Sequence, residues 1–175
     1  MPNWCANTVT LEHDDPAMIR RAEDAFAAGR FLQEFVSMPN NEWDHTWCVE
    51  NWGTKWDVGN SDGINDVQEN SIVLYFDSAW APPTAAYAKM LTMGFRIYAD
   101  YHEPGMAFAG VWDNGSDDYY EYGDMTSEEI IETLPSDLDY TYGISDSAIL
   151  YEEENEEEIE EDSINLDVNN TGNKW

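Results

Sequence analysis

Basic residues are nearly missing from this sequence: 7 Lys and Arg stand against 37 Asp and Glu in 175 residues, a formal charge of −30 at pH 7. A field of that size makes direct binding to DNA, RNA or an anionic membrane surface very unfavourable, so the natural partners are basic. The plainer account of such acidity is solubility alone. Cysteine is scarcer still, and Cys5 and Cys48 lie far apart without CxxC spacing. That pattern predicts small buried hydrophobes in a reducing compartment rather than a disulfide or a metal knuckle. No apolar run has the length needed to span a bilayer, and Met1-Pro2-Asn3-Trp4-Cys5 lacks the basic-then-apolar layout of a signal peptide. The protein is therefore expected to stay in the cytoplasm in which it is made.

Catalytic signatures are missing too. There is no phosphate-cradling Gly-rich loop, nucleophile elbow or HExxH, and paired carboxylates carry no information in a chain with 37 of them. His13, His45, His102, Cys5 and Cys48 are not at the short spacings that zinc sites favour. Asn60, Asp62, Gly63 and Glu69 match four positions of a calcium loop, but Val58 stands where the leading Asp is required. The expectation is a non-enzymatic protein without metal or cofactor.

What is present is apolar enough to fold. Hydrophobic residues make up 42% and aromatics 14%, with 8 Trp and 10 Tyr, which excludes a wholly disordered chain. Alternation from Asn3 to Glu12 predicts a first strand with Val9 and Leu11 on the core face. Asp14 or Asp15 then caps a helix that begins at Pro16 and stops at Gly29, and 31–36 continues as a short helix or buried connection. Asp57 to Gly59 and Ser71 to Asp77 are expected to pair as a hairpin across the turn dipeptide Asp62-Gly63. A helix follows Trp80-Ala81-Pro82-Pro83 and ends at Gly94; Phe95 to Tyr101 and Met106 to Trp112 pair around Glu103-Pro104-Gly105, with an edge strand at Tyr119 to Tyr122. This order predicts an α+β fold, a ferredoxin-like βαββαβ sandwich with one or two extra edge strands. A short capped helix over 127–134 completes a domain spanning 1–150. Nine of the eleven residues from Glu152 to Asp162 are acidic, so 151–175 is expected to be a self-repelling, disordered tail.

Four aromatic-rich motifs are specific enough to suggest a family: Met1-Pro2-Asn3-Trp4-Cys5, residues 47–57 (WCVENWGTKWD), residues 76–83 (FDSAWAPP) and Glu103-Pro104-Gly105-Met106. Together they resemble the small phage and plasmid proteins with a YubB-type ferredoxin-like domain, a resemblance running in order to about residue 146. It implies a ferredoxin-like fold, a mobile-element origin and residence in a host cell. It implies no activity.

Two candidate sites follow. Asp113, Asp117, Asp118, Glu121 and Asp124, with Glu128, Glu129 and Glu132 on the short helix, can present negative charge as the phosphates of a duplex do. The expected partner is a basic, nucleic-acid-binding host protein, and the expected action is DNA mimicry against host defence or DNA metabolism. The alternative is an interaction module in which Asn51, Trp52 and Lys55 form a recognition face and acidity is incidental. Trp52 and Trp56 are expected to divide between surface and core. If the indoles instead plug the open end of the sandwich, Lys55 pairs with a neighbouring Asp.

Overall fold

The structure, a computed structural model, describes residues 3–171. The chain divides into two units, Met1–Gly123 and Asp124–Trp175. The first is an α+β unit containing the strands β1 (Trp4–Glu12), β2 (Ile64–Val67), β3 (Ser71–Ala79), β4 (Arg96–Glu103), β5 (Phe108–Asp113) and β6 (Ser116–Glu121). They form one antiparallel sheet in the order β2-β3-β1-β4-β5-β6. Between them lie helices α1 (Pro16–Ala27), α2 (Phe31–Phe35), α3 (His45–Trp52) and α4 (Thr84–Leu91).

Strand alternation separates the two faces of the sheet. Cys5, Asn7, Val9 and Leu11 of β1, Ile72, Leu74 and Phe76 of β3, and Ile97, Ala99 and Tyr101 of β4 are buried. They share a core with Ile19, Ala22 and Phe26 of α1 and with Ala86, Tyr87 and Met90 of α4. The other face is more open, with Tyr75, Asp77 and Tyr98 exposed. Helix α1 starts where the Asp15 carboxylate accepts the Ala17 N–H, with Pro16 opening the first turn. Both cysteines are free and buried, and burial pushes the Cys5 thiol up to about 12.

Within the aromatic run 41–56, which carries no regular spacing, α3 forms over His45–Trp52. Asp44 accepts the Trp47 N–H at its start, and Gly53 closes it at φ 90°. The expected strand at Asp57 to Gly59 does not form. The Asp57 carboxylate instead takes the N–H groups of Leu32, Gln33 and Val58 at 2.6, 2.9 and 2.8 Å, which ties the segment to the start of α2. The strand paired with β3 is β2, and Asp62-Gly63 ends a single 3-10 turn before it. Its cap is Asn60, whose side chain accepts the Gly63 N–H. The edge strand starts earlier than expected, at Ser116.

The second unit holds α5 (Ser127–Thr133), α6 (Ser136–Tyr142) and α7 (Ile144–Thr171). Thr126 and Glu129 form a capping box on α5. Where the sequence predicts a boundary at 150 and a disordered tail over 151–175, this unit begins at Asp124 and α7 runs through the acidic stretch to Thr171. Residues 172–175 lie outside the described residues. Glutamate is a good helix former, and charge repulsion does not remove that preference. Glu152 also has a fixed partner, its carboxylate accepting the Ser127 N–H at 2.8 Å and the Ser127 hydroxyl at 2.7 Å.

Two outcomes test this account. At Gly110 an added Cβ would lie 2.2 Å from the Tyr101 hydroxyl oxygen and 2.8 Å from the Asp118 carbonyl. Gly110→Ala should therefore lower stability by about 1–3 kcal/mol in urea melts. The Ser127 hydrogen bonds hold the Glu152 carboxyl below its ordinary value. NMR should find it titrating below the ordinary glutamate value, and Ser127→Ala should move it up. With the folded pKa depressed, this contact contributes stability above that value, which is lost as pH falls through the Glu152 midpoint.

Candidate functional site

The acidic candidates are divided between the two units, four on each. On the first, Asp113 ends β5 and accepts the Asn114 side-chain N–H. Asp117 accepts the Tyr101 hydroxyl at 2.6 Å, Glu121 accepts the Tyr119 hydroxyl at 3.3 Å, and Asp118 alternates to the opposite side of β6. The second group is Asp124 with Glu128, Glu129 and Glu132 of α5, of which Glu129 also serves the capping box. All eight residues are exposed. Among the described residues none of them is ion-paired, because Arg21 and Arg30 both go to Glu34 and Arg96 goes to Glu12 and Asp14.

The Asn51, Trp52, Lys55 trio does not form a face. Trp52 is 1% exposed, stacks edge-on against Trp47, and donates its indole N–H to the Val36 carbonyl at 2.8 Å. It is a core residue, because the helical turn from Asp44 points it inward. Asn51 is half-buried and braces α3 against α4, donating to the Trp47 carbonyl and accepting from Lys89 Nζ at 2.6 Å. Lys55 is the one member on a surface site, and its company is different from that expected.

That company is a continuous aromatic patch. Lys55 Nζ sits 4.6 Å from the ring centroid of Trp56 and 4.9 Å from that of Trp80. Trp4 packs on Trp56 at 6.0 Å, and His45 bridges Trp80 and Trp43 at 5.9 and 6.3 Å. Trp4, Trp43, Trp56 and Trp80 are exposed by 48, 54, 37 and 44%. An apolar cluster of four accessible indoles is far outside the ordinary scatter of single exposed hydrophobics.

Backbone chemistry holds it in place. Trp4 opens β1 opposite Ala79, the last residue of β3. The next residue, Trp80, donates its N–H to the Asn3 carbonyl at 2.9 Å, while the Thr54 hydroxyl donates to the Ala79 carbonyl and the Ser78 hydroxyl donates to the Ala81 carbonyl. These bonds keep Trp80 at φ 71°, a left-handed conformation that is rare for a bulky residue and costs of order 1–3 kcal/mol. The Trp43 indole N–H donates to the Lys55 carbonyl at 3.2 Å. Beside the patch lies a cleft of about 300 Å³, bounded by Trp4, Trp56, Asp57, Asn60, Phe76 and Asp77. Burial raises the Asp57 carboxyl, against the pull of its three N–H donors.

Sequence spacing did not assemble this patch, since its members come from four separate segments. The usable signal was the recurrence of Trp beside turn residues at each of them. The three histidines are dispersed, with His13 against Phe95, His45 in the patch and His102 stacked on Tyr122. No group of three potential ligands for a metal ion occurs among the described residues. No helix among them is long and apolar enough to cross a membrane.

The two tryptophans of the same motif should behave oppositely. Trp52→Ala should cost about 3–5 kcal/mol in a denaturant melt, whereas Trp56→Ala should change stability by no more than about 1 kcal/mol. In proton NMR the Lys55 ε-methylene should be shifted upfield by the two indoles and should return towards its ordinary position in either Trp56→Ala or Trp80→Ala.

No family model matches the chain, and no curated protein matches it. Among solved structures it is similar to the protein api92 from Yersinia pseudotuberculosis, of the family DUF1281, with a TM-score of 0.40 and 12% identity over 70% of this chain and 99% of that one.

Proposed function

We propose that this chain is a non-enzymatic accessory protein of a phage or plasmid that acts in the host cytoplasm by binding a basic, nucleic-acid-binding host protein. Its carboxylates compete for the Lys and Arg residues with which that partner grips DNA. The observation that carries this reading is the set of eight exposed carboxylates without an ion pair, in a chain of charge −30. A cleft built for a polyanion recognises such a surface and releases counterions on meeting it. The family resemblance adds the mobile-element origin, where blocking a host nuclease or restriction complex has an obvious use.

We also read the fold as an extended ferredoxin-like sandwich. In favour of this, the order β2-β3-β1-β4 is that of a βαββαβ unit, and it departs from a four-stranded sandwich by the two strands added beyond β4.

The second reading, an interaction module with an aromatic recognition face, is favoured by the four exposed indoles. It is compatible with the first, since charge governs encounter and aromatic anchors govern residence.

Capture from host lysate tests the function. The immobilised chain should retain nucleic-acid-binding proteins that elute as salt is raised to roughly 0.5 M, and duplex DNA should compete for them. Salt-insensitive capture of a non-basic partner, unaffected by DNA, would refute mimicry.

A further inference from the structure

The Lys55 ammonium lies between two tryptophan rings in a chain that offers it 37 carboxylates. Among the described residues it makes no ion pair. The pocket it fills thus selects a cation by its ring faces. Both rings are partly exposed, Trp80 is held at a strained backbone position, and exposed carboxylates are present at Asp44, between Trp43 and His45 in the sequence, and at Asp77 on the wall of the cleft.

We propose that the Trp56–Trp80 pair is a cage for an arginine side chain of the basic partner, and that Lys55 is an internal placeholder which the incoming guanidinium displaces. This rests on the reading of the chain as a binder of a basic protein, and it names the group by which that partner is gripped. Three considerations select arginine. A guanidinium is planar and weakly hydrated, so it stacks on indole faces better than an ammonium does. The net charge of −30 attracts cationic segments and repels acidic ones. Removing Lys55 from the rings costs only a partly exposed cation–π contact, and its freed ammonium returns to water in a chain of charge −30. The neighbouring cleft, with Asp57 and Asp77 on its wall, gives room for residues flanking the arginine.

A short arginine–glycine peptide, its lysine–glycine counterpart and the full-length chain are sufficient for the test. Binding is followed by intrinsic tryptophan emission at roughly 0.5 M salt, where long-range attraction is screened to a few ångströms. The arginine peptide should bind more tightly than the lysine peptide. Trp56→Ala and Trp80→Ala should each weaken it between about twofold and thirtyfold, the range of one cation–π contact. Lys55→Met should strengthen binding several-fold by emptying the cage, and Lys55→Arg, which keeps the charge, should weaken it by filling the cage more firmly. Melting curves on each variant separate loss of a ring from loss of the fold, and Lys55→Met and Lys55→Arg remain decisive if an indole variant unfolds. Equal binding of the two peptides, or Lys55→Met and Lys55→Arg shifting affinity in the same direction, would overturn the proposal. The two readings fail separately: salt-released basic prey with a peptide response indifferent to Trp56, Trp80 and Lys55 removes the cage and keeps the charge-based function. The expected peptide response without any basic prey keeps the cage and removes the function.

Discussion

β1 is bonded on both edges, to β3 from Trp4 to Glu12 and to β4 from Ala6 to Glu12, and the first unit is arranged around that double pairing. A slip of one residue would turn Val9 and Leu11 out of the core and Thr8 and Thr10 into it. Asn7 guards the register from inside. Its side-chain N–H groups reach the Cys5 carbonyl at 2.7 Å, the Phe76 carbonyl at 3.3 Å and the Ser78 hydroxyl at 2.9 Å, a set available at one alignment only. The same amide leaves its oxygen unpartnered in the interior, at a cost of about 1–3 kcal/mol. What that alignment achieves lies at the strand's end, where Trp4 comes opposite Ala79 and the chain turns into Trp80.

Self-repulsion is the second constraint. The first unit sets most of its few cations on its own side chains: Arg21 and Arg30 neutralise Glu34, Arg96 joins Glu12 and Asp14, and Lys89 spans Asn51 and Trp47. These pairs are largely exposed and each contributes little. Stability therefore rests on the apolar core, and apart from the buried Glu103 and the half-buried Asp57 most of the unit's remaining carboxylates face water, where their field is available to a partner.

Local signals in the chain explain most of the strands and the capped helices. Asp15-Pro16, Thr126 with Glu129, and the alternation around Val9 each act within a few residues, which is why they are visible in sequence. What escaped was decided at a distance. Asp57 ends up capping the start of α2 from 24 and 25 residues away, which removes a strand that spacing alone favours. Trp52 and Trp56 are four residues apart, yet one meets the Val36 carbonyl and the other meets Trp4, contacts that no local pattern encodes. The surface patch was illegible for the same reason, and the helix at 151–171 because glutamate's backbone preference and its mutual repulsion point in opposite directions.

The indole pairs carry a consequence for how this protein looks to polarised light. Trp4 and Trp56 have centroids 6.0 Å apart with planes inclined at 42°, and Trp47 and Trp52 lie 5.7 Å apart at 83°. Transition dipoles that close and that oblique couple excitonically, splitting the aromatic bands into paired lobes of opposite sign in the far-ultraviolet circular dichroism. Those lobes overlap the amide signal from which helix content is usually judged, so a dichroism spectrum of this chain reports ring geometry as much as backbone.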